Sequence, residues 1–419
     1  MKSISFINEK IIKNNLVNLK NIVFEVTEKC NLNCKYCGFS EELYQKYEAR
    51  KNRDLPFEKA QLIIDYFINL WRDNYITDIN LPLIVGFYGG EPLLNISLIK
   101  KIIDYIEQFN IKGRQIFYAM TTNAMLLDKH MDFLASKNFY LTISLDGDEV
   151  AQSYRVDQSG KNSYSHIHNI KLLQQIYPEY FRNQYVNFIS VLHNRNDVEP
   201  ILDFFKTNFN KTPQITPLGT YGIHENKKDE FLKIYQNVTQ SLLKSTNCER
   251  IEDKYFTGMP KGHQLAQFLY HTSGNIFYNY NQLLMQKFSK HQITTGTCIP
   301  FSKKLFITVD GKILPCERID HDFEVGYIHD NYVQLDFKHI ANHHNSYISK
   351  VANQCISCAI NTFCPQCIYY IDNIRNKYPH CANFCTAEMF DKEKEQNFNY
   401  LKEHPHYYEK ILKEIRFTL

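Results

Sequence analysis

A chain of 419 residues that is 44% hydrophobic and 22% charged has the balance of a globular protein of two to three domains, which excludes collagen-like, disordered and disulfide-miniature classes. Its 48 Lys and Arg against 45 Asp and Glu leave a net charge of +3, too small for the broad basic footprint of a nucleic-acid or anionic-membrane binder. The opening MKSISFINEKIIKNNLVNLK lacks the apolar core and cleavage site of a secretory signal, and no apolar run is long enough to span a bilayer. The expectation is a cytoplasmic protein with neither a membrane nor a nucleic-acid partner.

Residues 1–20 read as a short N-terminal extension. Beyond them, short β-branched and aromatic runs bounded by polar residues predict strands at Ile22–Thr27, Leu83–Tyr88, Gln115–Thr121, Tyr140–Leu145, Tyr185–Leu192 and Gln214–Leu218. Helical periods separate them. In Phe57–Trp71 the apolar residues Phe57, Ala60, Ile63, Ile64, Phe67, Ile68 and Trp71 recur every three or four positions and so share one face. Six β-then-α units in a row imply an α/β fold with a parallel sheet, either an open doubly wound sheet or a partial barrel, over residues 21–220. A polar helical connecting region follows over 221–292, then a cysteine-rich domain over 293–390. The tail, 391–419, has helical spacing interrupted at His404-Pro405, and no repeat of solenoid length is present.

Twelve cysteines without a secretory signal point to metal or redox chemistry, because the cytosol keeps thiols reduced. The first strand runs straight into Cys30, Cys34 and Cys37, a C-x3-C-x2-C run at a βα loop. Three thiolates here would hold a four-iron cluster with one iron left open. An all-cysteine zinc site wants four ligands, usually as paired C-x2-C hairpins, and fits this spacing poorly. Cys248, isolated in a polar helical stretch, reads as an unliganded thiol.

The run C-x3-C-x2-C with the aromatic Tyr36 before its third cysteine resembles the signature of the radical S-adenosylmethionine (SAM) enzymes. Downstream, Phe87-Tyr88-Gly89-Gly90-Glu91-Pro92 is similar to that family's Gly-Gly-Glu-Pro segment, which implies that its backbone and the Glu91 carboxylate hold the methionine amino group. Read without the resemblance, it is a glycine turn with Glu91 at a helix start. Thr122-Asn123 ends the third strand, and Ile143-Ser144-Leu145-Asp146-Gly147 ends the fourth. By similarity Ser144 would approach the cofactor ribose and Arg155 its carboxylate, a role suited to a guanidinium fork. Asp146 serves equally as an N-cap. The resemblance implies a partial (β/α)6 barrel like that of TIM, with the site at the carboxyl ends of its strands.

The distal cysteines are Cys298, Cys316 within Gly311-x4-Cys316, the run Cys355-x2-Cys358-x5-Cys364-x2-Cys367, and Cys381 and Cys385. This pattern resembles the SPASM domain, which carries two auxiliary four-iron clusters. One spacing departs, since the family has C-x3-C where this chain has Cys364-x2-Cys367. The resemblance implies three [4Fe-4S] clusters in all, with Cys355, Cys358 and Cys364 joined by Cys381 or Cys385, and Cys298, Cys316 and Cys367 serving the other centre. Read alone, the two C-x2-C pairs would also suit a zinc ribbon. Glu317, directly after Cys316, stands where sulfatase-maturing relatives carry an aspartate proposed as a base.

The family's chemistry is reductive cleavage of SAM to a 5′-deoxyadenosyl radical, which takes hydrogen from an unactivated carbon. SPASM-bearing members mostly modify ribosomally made peptides, and FYGGEPLLN, MTTNAMLLD, SLDG, SYRVD and VLHNRN look most like peptide maturases of the double-glycine-leader Bacteroidales type. A cross-link is the expected product, made on a precursor peptide presented by a separate leader-recognition partner or by the region 221–292. The electron donor would be of the flavodoxin or ferredoxin type. An anaerobic sulfatase-maturing (formylglycine-generating) enzyme shares the plan, and a non-catalytic zinc-binding adaptor is the reading from another class.

Overall fold

The computed structural model describes residues 6–39, 42–45, 50–74, 76, 82–111, 114–160, 166–245, 248–256, 259–273, 299–361, 364 and 366–414. Six strands fall where the β-branched and aromatic runs placed them, within one or two residues: β1 (Asn21–Thr27), β2 (Leu83–Gly89), β3 (Ile116–Thr122), β4 (Tyr140–Ser144), β5 (Val186–Leu192) and β6 (Gln214–Pro217). They pair in parallel in chain order, each linked to the next by helical segments, which makes the partial, barrel-like sheet of an α/β fold. β1 is buried along nearly its whole length, as a strand covered on both faces must be.

The helix Phe57–Asp73 shows why the periodicity was legible. Ala60, Ile63, Ile64, Phe67 and Trp71 are buried, whereas Phe57 and Ile68 at the margins of the stripe are half-buried. Each fully buried side chain of this size contributes about 1.5–3 kcal/mol. Trp71 stacks on Phe67 at 5.1 Å and donates its indole N–H to the Val17 carbonyl at 3.0 Å.

The sheet does not stop at six strands. β7 (Leu305–Ile307) pairs in parallel with β1, and β8 (Lys312–Leu314), β9 (Gly326–Ile328) and β10 (Val333–Gln334) extend it antiparallel. These strands have two or three residues each, too short for alternation to register. The β7–β8 turn needs Gly311, whose φ is +99°, and a Cβ there would lie 2.6 Å from the Ile328 carbonyl oxygen.

The chain divides into two compact units. One holds residues 9–243 and 299–340, so the segment with β7–β10 and Cys316 belongs with the sheet. The other holds residues 1–8, 244–298 and 341–419. Its helices Cys248–Tyr255, Pro260–Ser273, Ala387–Glu403 and Pro405–Glu414 enclose a core of Phe256, Leu265, Leu269, Tyr270, Tyr407 and Ile411. The break between the last two falls at His404-Pro405, because proline has no N–H to continue a helix. No helix among the described residues is long and apolar enough to cross a membrane.

Candidate active site

At the carboxyl end of β1 the chain turns into the loop that carries Cys30, Cys34 and Cys37. The loop is held by backbone: Asn33 and Lys35 donate to the carbonyls of Val156 and Tyr154 at 2.7 and 3.0 Å, and Cys37 donates to Cys34 at 3.0 Å. All three cysteines line one cavity of about 310 Å³. Burial pushes the thiol of Cys30 up to about 11 and that of Cys34 up to about 12, so both stay protonated unless a metal's charge drives the proton off.

Gly89, Gly90 and Glu91 form the adjoining wall. Gly90 and Glu91 donate their N–H groups to the carbonyls of Thr27 and Lys29, both at 2.9 Å. That approach requires glycine, because a Cβ on Gly89 or Gly90 would sit 2.1 Å from those same oxygens. Pro92 opens the short 3₁₀ helix Pro92–Asn95 and is buried. Glu91 is buried with it and accepts from Thr122 Oγ1 at 2.7 Å, from Asn123 N–H at 2.7 Å and from Leu93 N–H at 3.1 Å. Burial raises its carboxyl to about 7 despite these donors.

Asn123, Ser144 and Arg155 complete the wall from the ends of β3 and β4 and the segment beyond. The Asn123 amide donates to Asn31 Oδ1 at 2.8 Å and lies 4.0 Å from Cys30 Sγ. Arg155 is engaged by Asp146, with Nε and Nη2 each donating to one carboxylate oxygen at 3.0 Å. Asp146 is completely buried and also accepts from the Tyr36 phenol and from Val191 N–H at 3.0 Å. Burial alone would raise its pKa, but Arg155, His193 and Tyr36 outweigh it and hold the carboxyl well below the usual range. Tyr36 and Asp146 thus meet each other and stand outside the described cavity wall.

Glu317 lies beyond β8 and is clamped by Lys304 at 2.9 and 3.0 Å, with the Cys316 thiol 3.4 Å away. Burial raises its pKa, yet the lysine and nearby donors win and the carboxyl is lowered, which makes it a weak proton acceptor. In the second unit, the chain around Cys355, Cys358, Cys364 and Cys381 folds so that the last three sulfurs all act on the Cys355 thiol, which burial lifts to about 12. Cys385 donates its N–H to Cys358 Sγ at 3.5 Å. Cys367 precedes the short helix Ile368–Tyr370, and Cys298 lies outside the described residues. Among the described residues, no three His, Cys, Asp or Glu side chains close on a point as ligands of a single ion. Sequence reasoning missed Arg50, Phe39 and Gln158 in the cavity wall, since they sit in polar stretches without a motif.

Residues 24–205 match the radical SAM superfamily. Over 379 residues, 89% of the chain and 92% of the relative, it is 23% identical to the cysteine-type anaerobic sulfatase-maturating enzyme of Clostridium novyi. It is 25% identical over 367 residues, 83% of the chain and 67% of the relative, to the radical SAM cyclopropyl synthase TigE of Paramaledivibacter caminithermalis. A stretch of 146 residues is 37% identical to the uncharacterized protein MJ0907 of Methanocaldococcus jannaschii, where the match spans 35% of the chain and 45% of that protein. In fold the chain is similar to native anSMEcpe with bound AdoMet and Cp18Cys peptide, with a TM-score of 0.55, 18% identity and coverage of 93% and 98% of the two chains. The radical SAM match takes in most of β1, the loop with Cys30, Cys34 and Cys37, and β2 through β5, somewhat less than half of the chain.

Proposed function

We propose that the chain is a radical SAM maturase that takes hydrogen from a peptide or protein side chain. The observation that carries this reading is the single cavity that brings Cys30, Cys34 and Cys37 together with the Gly89–Gly90–Glu91 turn, Ser144 and Arg155. These residues fit the cofactors: three thiols for a cluster with one open position, and a polar wall for an amino acid with its nucleoside. Once bound, the cluster and SAM supply a carbon-centred radical able to attack an unactivated C–H bond. The chain's own part is to hold and shield. The backbone bonds that fix the cysteine loop and the glycine turn keep both rigid, and the cavity limits the water that reaches the reacting groups.

Cys355, Cys358 and Cys364, with Cys381 or Cys385, form the set we assign to one auxiliary cluster. A peptide or protein substrate is supported by the near full-length likeness to a sulfatase-maturating enzyme, and our preferred product is a cross-link on a precursor peptide. Formylglycine formation is the second reading, supported by that same match. Against it stands Glu317, which Lys304 holds as a weak base.

The test is metal content and 5′-deoxyadenosine formation by anaerobically purified protein given SAM and dithionite. About twelve irons per chain together with the nucleoside support the reading. Zinc in the distal domain and no nucleoside overturn it in favour of an adaptor. Cys30→Ala is expected to abolish the nucleoside, and its persistence in that variant would overturn the site assignment.

A further inference from the structure

Two guanidinium groups line the cavity, and they differ in one respect. Arg155 gives its Nε–Nη2 fork to Asp146. The fork of Arg50 is not so engaged among the described residues. Its segment returns from the cysteine loop and lies along the end of β1, where Leu55 N–H donates to the Val26 carbonyl at 3.1 Å and Thr27 bridges to Asp54. The Arg50 guanidinium sits 3.8 Å over the Phe39 ring, and Nη1 donates to the Glu28 carbonyl at 2.6 Å. Nε and Nη2 are buried and have no hydrogen-bond partner among the described residues.

Among the described residues, no carboxylate nearby is available to them. Glu25 is 3.7 Å from Nη2, beyond hydrogen-bond reach, and accepts from Val309 N–H at 3.2 Å. Burial raises Glu25 to about 7, so near neutrality it offsets the arginine charge only in part. Glu28 is taken by the Arg53 side chain and by the N–H groups of Lys51 and Arg53. Glu91 is taken by Thr122, Asn123 and Leu93.

A buried guanidinium with two unfilled donors is costly, and Nε with Nη2 is the fork that matches a carboxylate bidentately. We propose that Arg50 is the carboxylate receptor of this cavity. The inference rests on the cavity being the reaction site, and the carboxylate comes from the amino-acid end of SAM or from the peptide substrate. Arg50 flanks Gly90, since a Cβ there would lie 2.7 Å from Nη1, and its neighbour Glu25 is bonded to Val309 just past β7, whereas Ser144 ends β4 and Arg155 follows it.

The test is equilibrium binding to the anaerobically purified full chain, wild type against Arg50→Gln, in two arms. The first compares SAM with decarboxylated SAM. The second compares retention of random octapeptide pools that carry a fixed central Glu or a fixed central Gln. Wild type is expected to prefer the carboxylate form by about tenfold or more in at least one arm, and Arg50→Gln to erase that preference. Loss in the first arm assigns the cofactor carboxylate, and loss in the second assigns the substrate. Preference retained by Arg50→Gln in both arms, or absent from wild type in both, overturns the proposal. Wild-type affinity for SAM is the separate check on the functional reading, because failure there removes the cavity's role whatever Arg50 does. If the Gln variant does not fold, Arg50→Lys, which keeps the charge and loses the fork, is expected to lose most of the preference.

Discussion

The phenol of Tyr36 donates its hydrogen bond to the carboxylate of Asp146, 110 residues further along the chain, and so ties the cysteine loop to the end of β4. Asp146 sits between this phenol and the Arg155 guanidinium with no exposure to solvent. Its replacement by Ala leaves Arg155 buried without its anion, and about 3–5 kcal/mol of stability should be lost. Tyr36→Phe removes one donor and should cost about 1 kcal/mol. Urea unfolding of the two variants checks both magnitudes; equal losses would show that the ion pair does not dominate.

Gly90→Ala places a methyl group 2.1 Å from the Lys29 carbonyl oxygen and 2.7 Å from Arg50 Nη1. The obstruction is backbone immediately before Cys30, so the loop rather than a side chain has to move. The expected outcome is at least a tenfold loss of SAM affinity with the far-ultraviolet circular dichroism unchanged.

Glu25 gives a pH signature. Its folded pKa is about 7 against 4.5 when free, so the native state holds a proton that the unfolded chain has released. This group's contribution is therefore fully present below pH 4.5 and is lost as pH rises toward 7, a change of about 3 kcal/mol at most. Glu25→Gln should flatten the stability profile between pH 5 and 7, relative to wild type, by a sizeable part of that amount. Parallel profiles would mean that Glu25 is ionised throughout.

In the second unit the ring of Tyr407 stacks on Phe256 at 3.8 Å, within the core that joins the terminal helices to Pro260–Ser273. Tyr407→Ala should cost about 3 kcal/mol and expose the last helix to protease. Limited proteolysis followed by mass spectrometry reads this directly, as new cleavage between residues 403 and 414.

The residues whose chemistry is local were legible in the sequence. β1 to β6 follow from β-branched and aromatic runs bounded by polar residues, the buried stripe of Phe57–Asp73 follows from its period, and Cys30 to Arg155 stood out through segments that resemble a known family's. What stayed hidden depends on partners far away in the chain. Nothing near Asp146 announces that it will receive Tyr36 and Arg155 together, so it read as a cofactor contact or a cap. Arg50 stands in a charged run with no pattern, and its place beside Gly90 exists only after β1 and β2 pair. β7 to β10 are too short to show alternation, and β7 is a strand because β1 offers it an edge.

That edge has a history during synthesis. β1 is made near the start of the chain, yet the strand that covers its far side, Leu305–Ile307, emerges some 280 residues later. The stretch between β6 and β7 alone occupies the ribosome for on the order of 5–20 s. Until β7 has been made, that side of β1 has no strand to pair with. Closure of the β1 edge is therefore one of the last pairings that synthesis allows.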